Sequence, residues 1–143
     1  MAMKRHGALL LLCGLLMGLS GCAVLLAGSA GAGIGVGTFS YIEGNLKRDY
    51  QAPLPEVWKA TLEALDELEI PSTVENKDSF GGLIKGTMFD GTKVVVKLEE
   101  RSDNLVEVGV RVGVLGDRGK AEVVHETIAS IFKKKQVHSL KQH

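Results

Sequence analysis

The sequence predicts an α+β fold, a two-layer sandwich in which a mainly antiparallel sheet carries two helices on one face. Three observations predict it. Apolar residues recur at three- and four-residue steps in two segments, 54–68 and 124–132. Elsewhere after residue 38 they alternate with polar ones, in short runs separated by turn sequences. The segments come in the order β-α-β-β-β-β-α, with successive strands close enough in sequence to pair as hairpins.

Residues 39–50 alternate, with Ile42, Gly44 and Leu46 on one side and Glu43, Asn45 and Lys47 on the other, and predict a single strand. Pro53 and Pro55 then punctuate. Pro55 suits a first helical turn, where its missing N–H would have no partner anyway. Leu54, Val57, Trp58, Thr61, Leu62, Leu65 and Leu68 form one stripe of a helix that Pro71 closes. Residues 72–77 form a less strongly patterned strand. Gly81-Gly82 is expected to turn into a strand over 83–89, and Asp90-Gly91 is a two-residue hairpin signal. Over 92–99, Val94, Val96 and Leu98 share one face, with Lys93, Lys97 and Glu99 on the other. Asp103-Asn104 turns the chain again. In 105–114 the valines 106, 108, 110, 112 and 114 are expected inward, and Glu107 and Arg111 outward. Asp117 is placed to cap a last helix reaching about residue 135, with Val124, Thr127, Ile128, Ile131 and Phe132 as its apolar stripe. The polar residues 136–143 are expected to fray as a flexible tail.

The start of the chain has a different character. Lys4 and Arg5 are its only early charges, and the 34 residues from Gly7 to Ser40 carry none. A basic start, an apolar run to Leu19 and small residues after it are the layout of a secretory signal peptide. That run ends in Leu19-Ser20-Gly21-Cys22, which resembles the lipobox of bacterial lipoproteins: an aliphatic residue, two small ones, and the cysteine that becomes the lipidated N-terminus. The expected division is a signal peptide over 1–21, a lipidated glycine-rich tether over 22–38, a globular domain over 39–135 and the tail over 136–143.

Ala23 to Gly37 reads AVLLAGSAGAGIGVG. Its alternating glycines do not close a G-x-G-x-x-G register and no strand precedes them, so a dinucleotide loop does not fit. Two readings stand, a flexible tether or a membrane-embedded stretch whose small residues let helices pack closely. The tether is favoured, because crossing a bilayer takes about 20 helical residues. Were the signal retained, residues 7–37 would serve as a transmembrane anchor instead. Ala23 stands where an aspartate typically retains Gram-negative lipoproteins at the inner membrane, so the resemblance implies the outer membrane, facing the periplasm. Two or more acyl chains hold firmly where one binds only marginally.

Cleavage leaves 15 basic residues against 17 acidic, a formal charge of −2 and no electrostatic footprint for nucleic acid. Cys13 leaves with the signal and Cys22 is acylated, so the mature chain has no thiol pair for a disulfide. The histidines, His6, His125, His138 and His143, show no ligand spacing, and no cysteine cluster joins them, so neither a metal nor a cofactor site is expected. Ser72, Ser79, Ser102, Ser130 and Ser139 lack a nucleophile-elbow context. Glu63, Asp66 and Glu67 read as a solvated helix face, and no two acids stand out as a hydrolytic pair. Lys133-Lys134-Lys135 suits either anionic lipid or glycan, or simply the negative end of a helix dipole, which is the favoured account. Trp58 reads as core rather than as a ligand platform. Arg111 and Asp117, flanking Gly113 and Gly116, read as a tight strand-to-helix turn, with a functional turn near the sheet's end as the lesser alternative.

At Tyr41-Ile42-Glu43-Gly44-Asn45-Leu46, Ala52-Pro53 with Val57-Trp58-Lys59-Ala60, Asp90-Gly91-Thr92-Lys93-Val94, and Arg111-Val112-Gly113 with Gly116-Asp117, the chain resembles a family of small uncharacterised bacterial lipoproteins, mostly from proteobacteria. With the lipobox these segments span residues 19 to about 132. The resemblance implies the same small domain behind a lipid anchor and brings no catalytic residues. The element order is also similar to helix-grip domains, a likeness of fold alone. The expectation is therefore a membrane-anchored, non-enzymatic lipoprotein whose periplasmic domain binds a protein partner or envelope component, presenting an exposed apolar or charged patch on the sheet's outer face or on a helix. The alternative is a carrier of a small hydrophobic ligand, with an apolar cavity between sheet and helix.

Overall fold

A computed structural model describes residues 36–142. The elements are β1 (Ser40–Ile42), β2 (Asn45–Tyr50), α1 (Leu54–Glu67), β3 (Ser72–Lys77), β4 (Gly81–Thr87), β5 (Lys93–Ser102), β6 (Leu105–Val112) and α2 (Arg118–Lys141). The six strands form one antiparallel sheet in the order β1-β2-β6-β5-β4-β3. Strands β3 to β6 are a plain meander, and β2 joins it from the other side, against β6. The class and order are those the sequence predicts, with the first strand folded into a hairpin.

Register explains the core. Leu46, Val110, Val96 and Ile84 form one row across β2, β6, β5 and β4, and Val112 and Val94 form the next. Because side chains alternate, these rows face the helices together. They meet Leu54, Val57, Ala60, Ala64 and Leu65 of α1 and Ala121, Val124, Ile128, Ile131 and Phe132 of α2, all buried. Each large aliphatic side chain there contributes about 1.5–3 kcal/mol of burial. Thr61 shares the buried stripe because its hydroxyl donates back to the Val57 carbonyl at 2.7 Å.

Four local expectations change. The first strand is interrupted at Glu43 and Gly44, both at positive φ (50° and 78°), a two-residue turn that pairs Ile42 with Asn45. Gly81 and Gly82 lie inside β4, and the turn before them is made by Asp78, whose carboxylate accepts the Phe80 N–H at 2.8 Å. These glycines serve close approach instead: a Cβ on Gly82 would lie 2.3 Å from the Trp58 ring, and one on Gly81 2.3 Å from the Leu98 carbonyl. Strand β6 ends at Val112, because Gly113 at φ 73° turns the chain and leaves Val114 outside. Finally, α2 runs on to Lys141, since the chain after Gly119 contains neither glycine nor proline to stop it.

Candidate functional site

One end of the sheet is built from three turns that lock together. Between β6 and α2, Gly113, Val114, Leu115 and Gly116 make a tight loop closed by the Asp117 N–H donating to the Val112 carbonyl at 2.7 Å. The Gly113 N–H donates to the Lys93 carbonyl at 2.8 Å, the Tyr41 hydroxyl to the Gly116 carbonyl at 2.8 Å, and the Arg111 guanidinium to the Val114 carbonyl. The β1–β2 turn is stacked on this loop. Gly116 and Gly44 meet backbone to backbone, so closely that a Cβ on Gly116 would lie 2.2 Å from the Gly44 carbonyl oxygen. The third turn, Met88 to Thr92, is closed by the Met88 N–H to the Thr92 carbonyl at 2.9 Å, with Gly91 at φ 85°. Lys120 on α2 reaches Asp90 of this turn at 3.7 Å.

This frame holds large apolar side chains outward among charged ones. Val114 is 84% exposed, Leu115 90% and Phe89 100%, and Ile42 in the β1–β2 hairpin is exposed too. Turns ordinarily carry Gly, Pro, Asn, Asp or Ser for conformational reasons. Here the glycines and Asp117 meet those needs, and the large side chains between them make no contribution to the core. Asp117 also caps α2, accepting the Lys120 N–H at 3.0 Å. Arg111 and Asp117 are thus where the sequence places them. Val114 and Phe89, however, are at the tip rather than in strands, and Leu115 carried no expectation. The pair of glycines spaced around Val114-Leu115 was the signal in the sequence.

A second cluster lies inside. His125, on the helix face that looked isolated in sequence, is fully buried between β2 and α2. Its Nε2 lies 2.9 Å from the Leu46 carbonyl, which can only accept, so Nε2 carries the proton and Nδ1 accepts from the Tyr50 hydroxyl at 2.9 Å. Burial pushes the imidazole down from 6.5 to about 4, helped by the nearby Arg48 charge, while the Leu46 hydrogen bond opposes it. Burial likewise raises the Tyr50 phenol. Arg48 lies over the Phe39 ring at 4.4 Å and bonds Glu126 at 2.9 Å and the Gly37 carbonyl at 3.0 Å. The polar pair is satisfied and sealed from solvent, which suits structure rather than proton transfer.

The sheet's outer face brings Glu99 and Glu107 directly opposite each other. Arg101 bridges them at 3.2 and 2.9 Å, Lys47 bonds Glu107 at 2.9 Å, and Lys97 pairs with Glu99. The Lys97 hydrogen bond holds Glu99 below the usual carboxylate range. At Glu107 burial pulls upward, but the Lys47 and Arg101 hydrogen bonds outweigh it and the carboxyl is lowered too. Both acids are thus held ionised, the opposite of a proton-sharing pair. Beside them a shallow groove of about 160 Å³ opens over Gly109.

The remaining expected sites are scattered. Leu19, Ser20, Gly21 and Cys22 lie outside the described residues, as does His143. Trp58 packs over Gly82 with the Lys77 ammonium 5.6 Å from its ring. Glu63 and Glu67 bond Lys135 and Lys134 at 3.2 and 3.0 Å, while His138 is exposed. Among the described residues no three His, Cys, Asp or Glu side chains are grouped to hold a metal, and no helix is long and apolar enough to cross a membrane. No curated protein matches the chain. A family model described as a protein of unknown function, DUF3568, matches residues 7–130, and the chain therefore belongs to that family.

Proposed function

We propose that the chain is a bacterial envelope lipoprotein, anchored by lipid on Cys22 at the periplasmic face of the outer membrane, whose domain docks a partner protein through its apolar tip and catalyses no reaction. The observation that carries the docking role is the rigid presentation of Val114 and Leu115 to solvent. A loop ordered in advance loses little entropy on binding, and large apolar side chains held outward supply the buried area an interface core needs. The fitting partner is a protein with an apolar cleft. The lipobox Leu19-Ser20-Gly21-Cys22 and the basic, then apolar, start support the anchor. A carrier role has less support, because the space between sheet and helices is filled by buried side chains and the larger grooves open at the surface.

A photoreactive residue in place of Leu115 in living cells is expected to give one discrete protein adduct. The adduct should vanish on Val114→Asp, a change that at so exposed a position alters stability by no more than about 0.5 kcal/mol. Diffuse adducts, or equal ones from the outer-face position Lys85, would overturn the docking tip. In the same cells radiolabelled palmitate is expected to enter the wild type and not Cys22→Ser, and equal labelling would overturn the anchor.

A further inference from the structure

We infer that the last turns of α2 rest on the anionic phospholipid surface that holds the chain's lipid anchor, so that the apolar tip projects away from it. The inference rests on the lipid-anchor reading above and adds a surface and an orientation to it.

The charge of the chain is unevenly distributed. From Thr127 to His143 there are four lysines and no acidic residue, whereas Cys22 to Glu126 carries 11 basic residues against 17 acidic. A helix dipole does not account for the three consecutive lysines, because α2 continues to Lys141 and the dipole acts only within the last turn. Lys134 and Lys135 are engaged with Glu67 and Glu63, but Lys133 and Lys141 have no carboxylate partner among the described residues. On the same exposed turns Val137 is 56% and Leu140 78% exposed. Basic side chains beside outward aliphatic ones are the composition that binds at a headgroup boundary, where lysines meet phosphate and the aliphatic groups enter the acyl edge.

The position of these turns identifies which surface they meet. Helix α2 leaves the tip at Asp117 and runs back along β2, with His125 against Leu46 and then Phe132 against Tyr50, ring centroids 5.9 Å apart. Phe132 is its last buried residue. Beyond it the helix continues for nine residues, about 13 Å at the usual rise. Val36 pairs with that same Tyr50, so the chain arriving from Cys22 joins the domain at the end where the basic turns project. The 14 steps from Cys22 to Val36 span at most about 50 Å, so that end is the one the tether reaches first from the anchoring bilayer. The matched family residues end at 130, so the lysines of this basic end lie outside the family match.

The full lipidated protein, reconstituted into phosphatidylcholine–phosphatidylglycerol vesicles, carries a fluorophore on Leu140→Cys or on Val114→Cys, and brominated lipid reports proximity. The label at 140 is expected to be quenched and the label at 114 not. Removing phosphatidylglycerol should release the first, and Lys133→Gln and Lys141→Gln should each lower the ratio of docked to undocked domain about fivefold, the ratio corresponding to one surface lysine. Equal quenching at both positions, or quenching at 140 indifferent to the lysines, overturns the inference and would point the basic turns toward a protein. The mass of the purified chain reports acylation separately. An unlipidated chain sinks the anchor and this inference with it, whereas a lipidated chain unquenched at 140 sinks this inference alone.

Discussion

His125 shows how much one neighbour decides. A lone histidine on a helix gives no sign of its partner, and the partner, Tyr50, is 75 residues away. Packed between β2 and α2, the ring stays neutral because water is excluded, with the nearby Arg48 charge adding a smaller push the same way. In the unfolded chain the same imidazole takes up its proton near 6.5, whereas in the folded chain it does so near 4. A folded pKa lowered in this way stabilises the protein fully above 6.5, and that contribution is lost as pH falls toward 4. The loss comes to about 3 kcal/mol. Urea unfolding at pH 7 and pH 4 should therefore show a larger fall for the wild type than for His125→Gln, whose amide does not titrate. Parallel falls in the two proteins would mean the histidine is not held neutral.

Elements were legible in proportion to how locally they are determined. Val94 and Val96 of β5, the valines of β6 and the stripe of α1 face the core because a period of two or of three to four residues needs no knowledge of the rest of the chain. The hairpin at Glu43-Gly44 was not legible, because glutamate is not a residue that favours positive φ, and what holds the turn is the β6–α2 loop 70 residues on. Gly81-Gly82 misled for a related reason: the glycines answer a tryptophan ring and a neighbouring strand's carbonyl, neither visible as a local pattern. Gly82→Ala should destabilise the domain by about 1–3 kcal/mol through the clash with Trp58. In a Trp58→Leu background the same change should cost less, with a coupling of at least about 0.5 kcal/mol in a double-mutant cycle. Additive costs would show that the ring does not set the glycine requirement.

At the scale of the whole molecule the domain has two unlike ends, one basic and continuous with the incoming chain, the other apolar and locked by paired glycines. The candidate site was half legible: Arg111, Gly113, Gly116 and Asp117 marked a tight turn, but that Val114, Leu115 and Phe89 stand outside the fold depends on three turns meeting in space. The sheet order also governs time. Strand β2 takes its second sheet neighbour from β6, whose residues lie some sixty positions later, as in Leu46 with Val110, while β3, β4, β5 and β6 are joined in succession by short turns. Loop-closure entropy makes distant pairing slow, so the meander forms first and β2 docks late. In refolding followed by pulsed hydrogen exchange, amides shared by β4 and β5 should gain protection before those shared by β2 and β6, and the reverse order would refute this. A chain delivered N-terminus first accordingly leaves β2 without its second partner until β6 has followed.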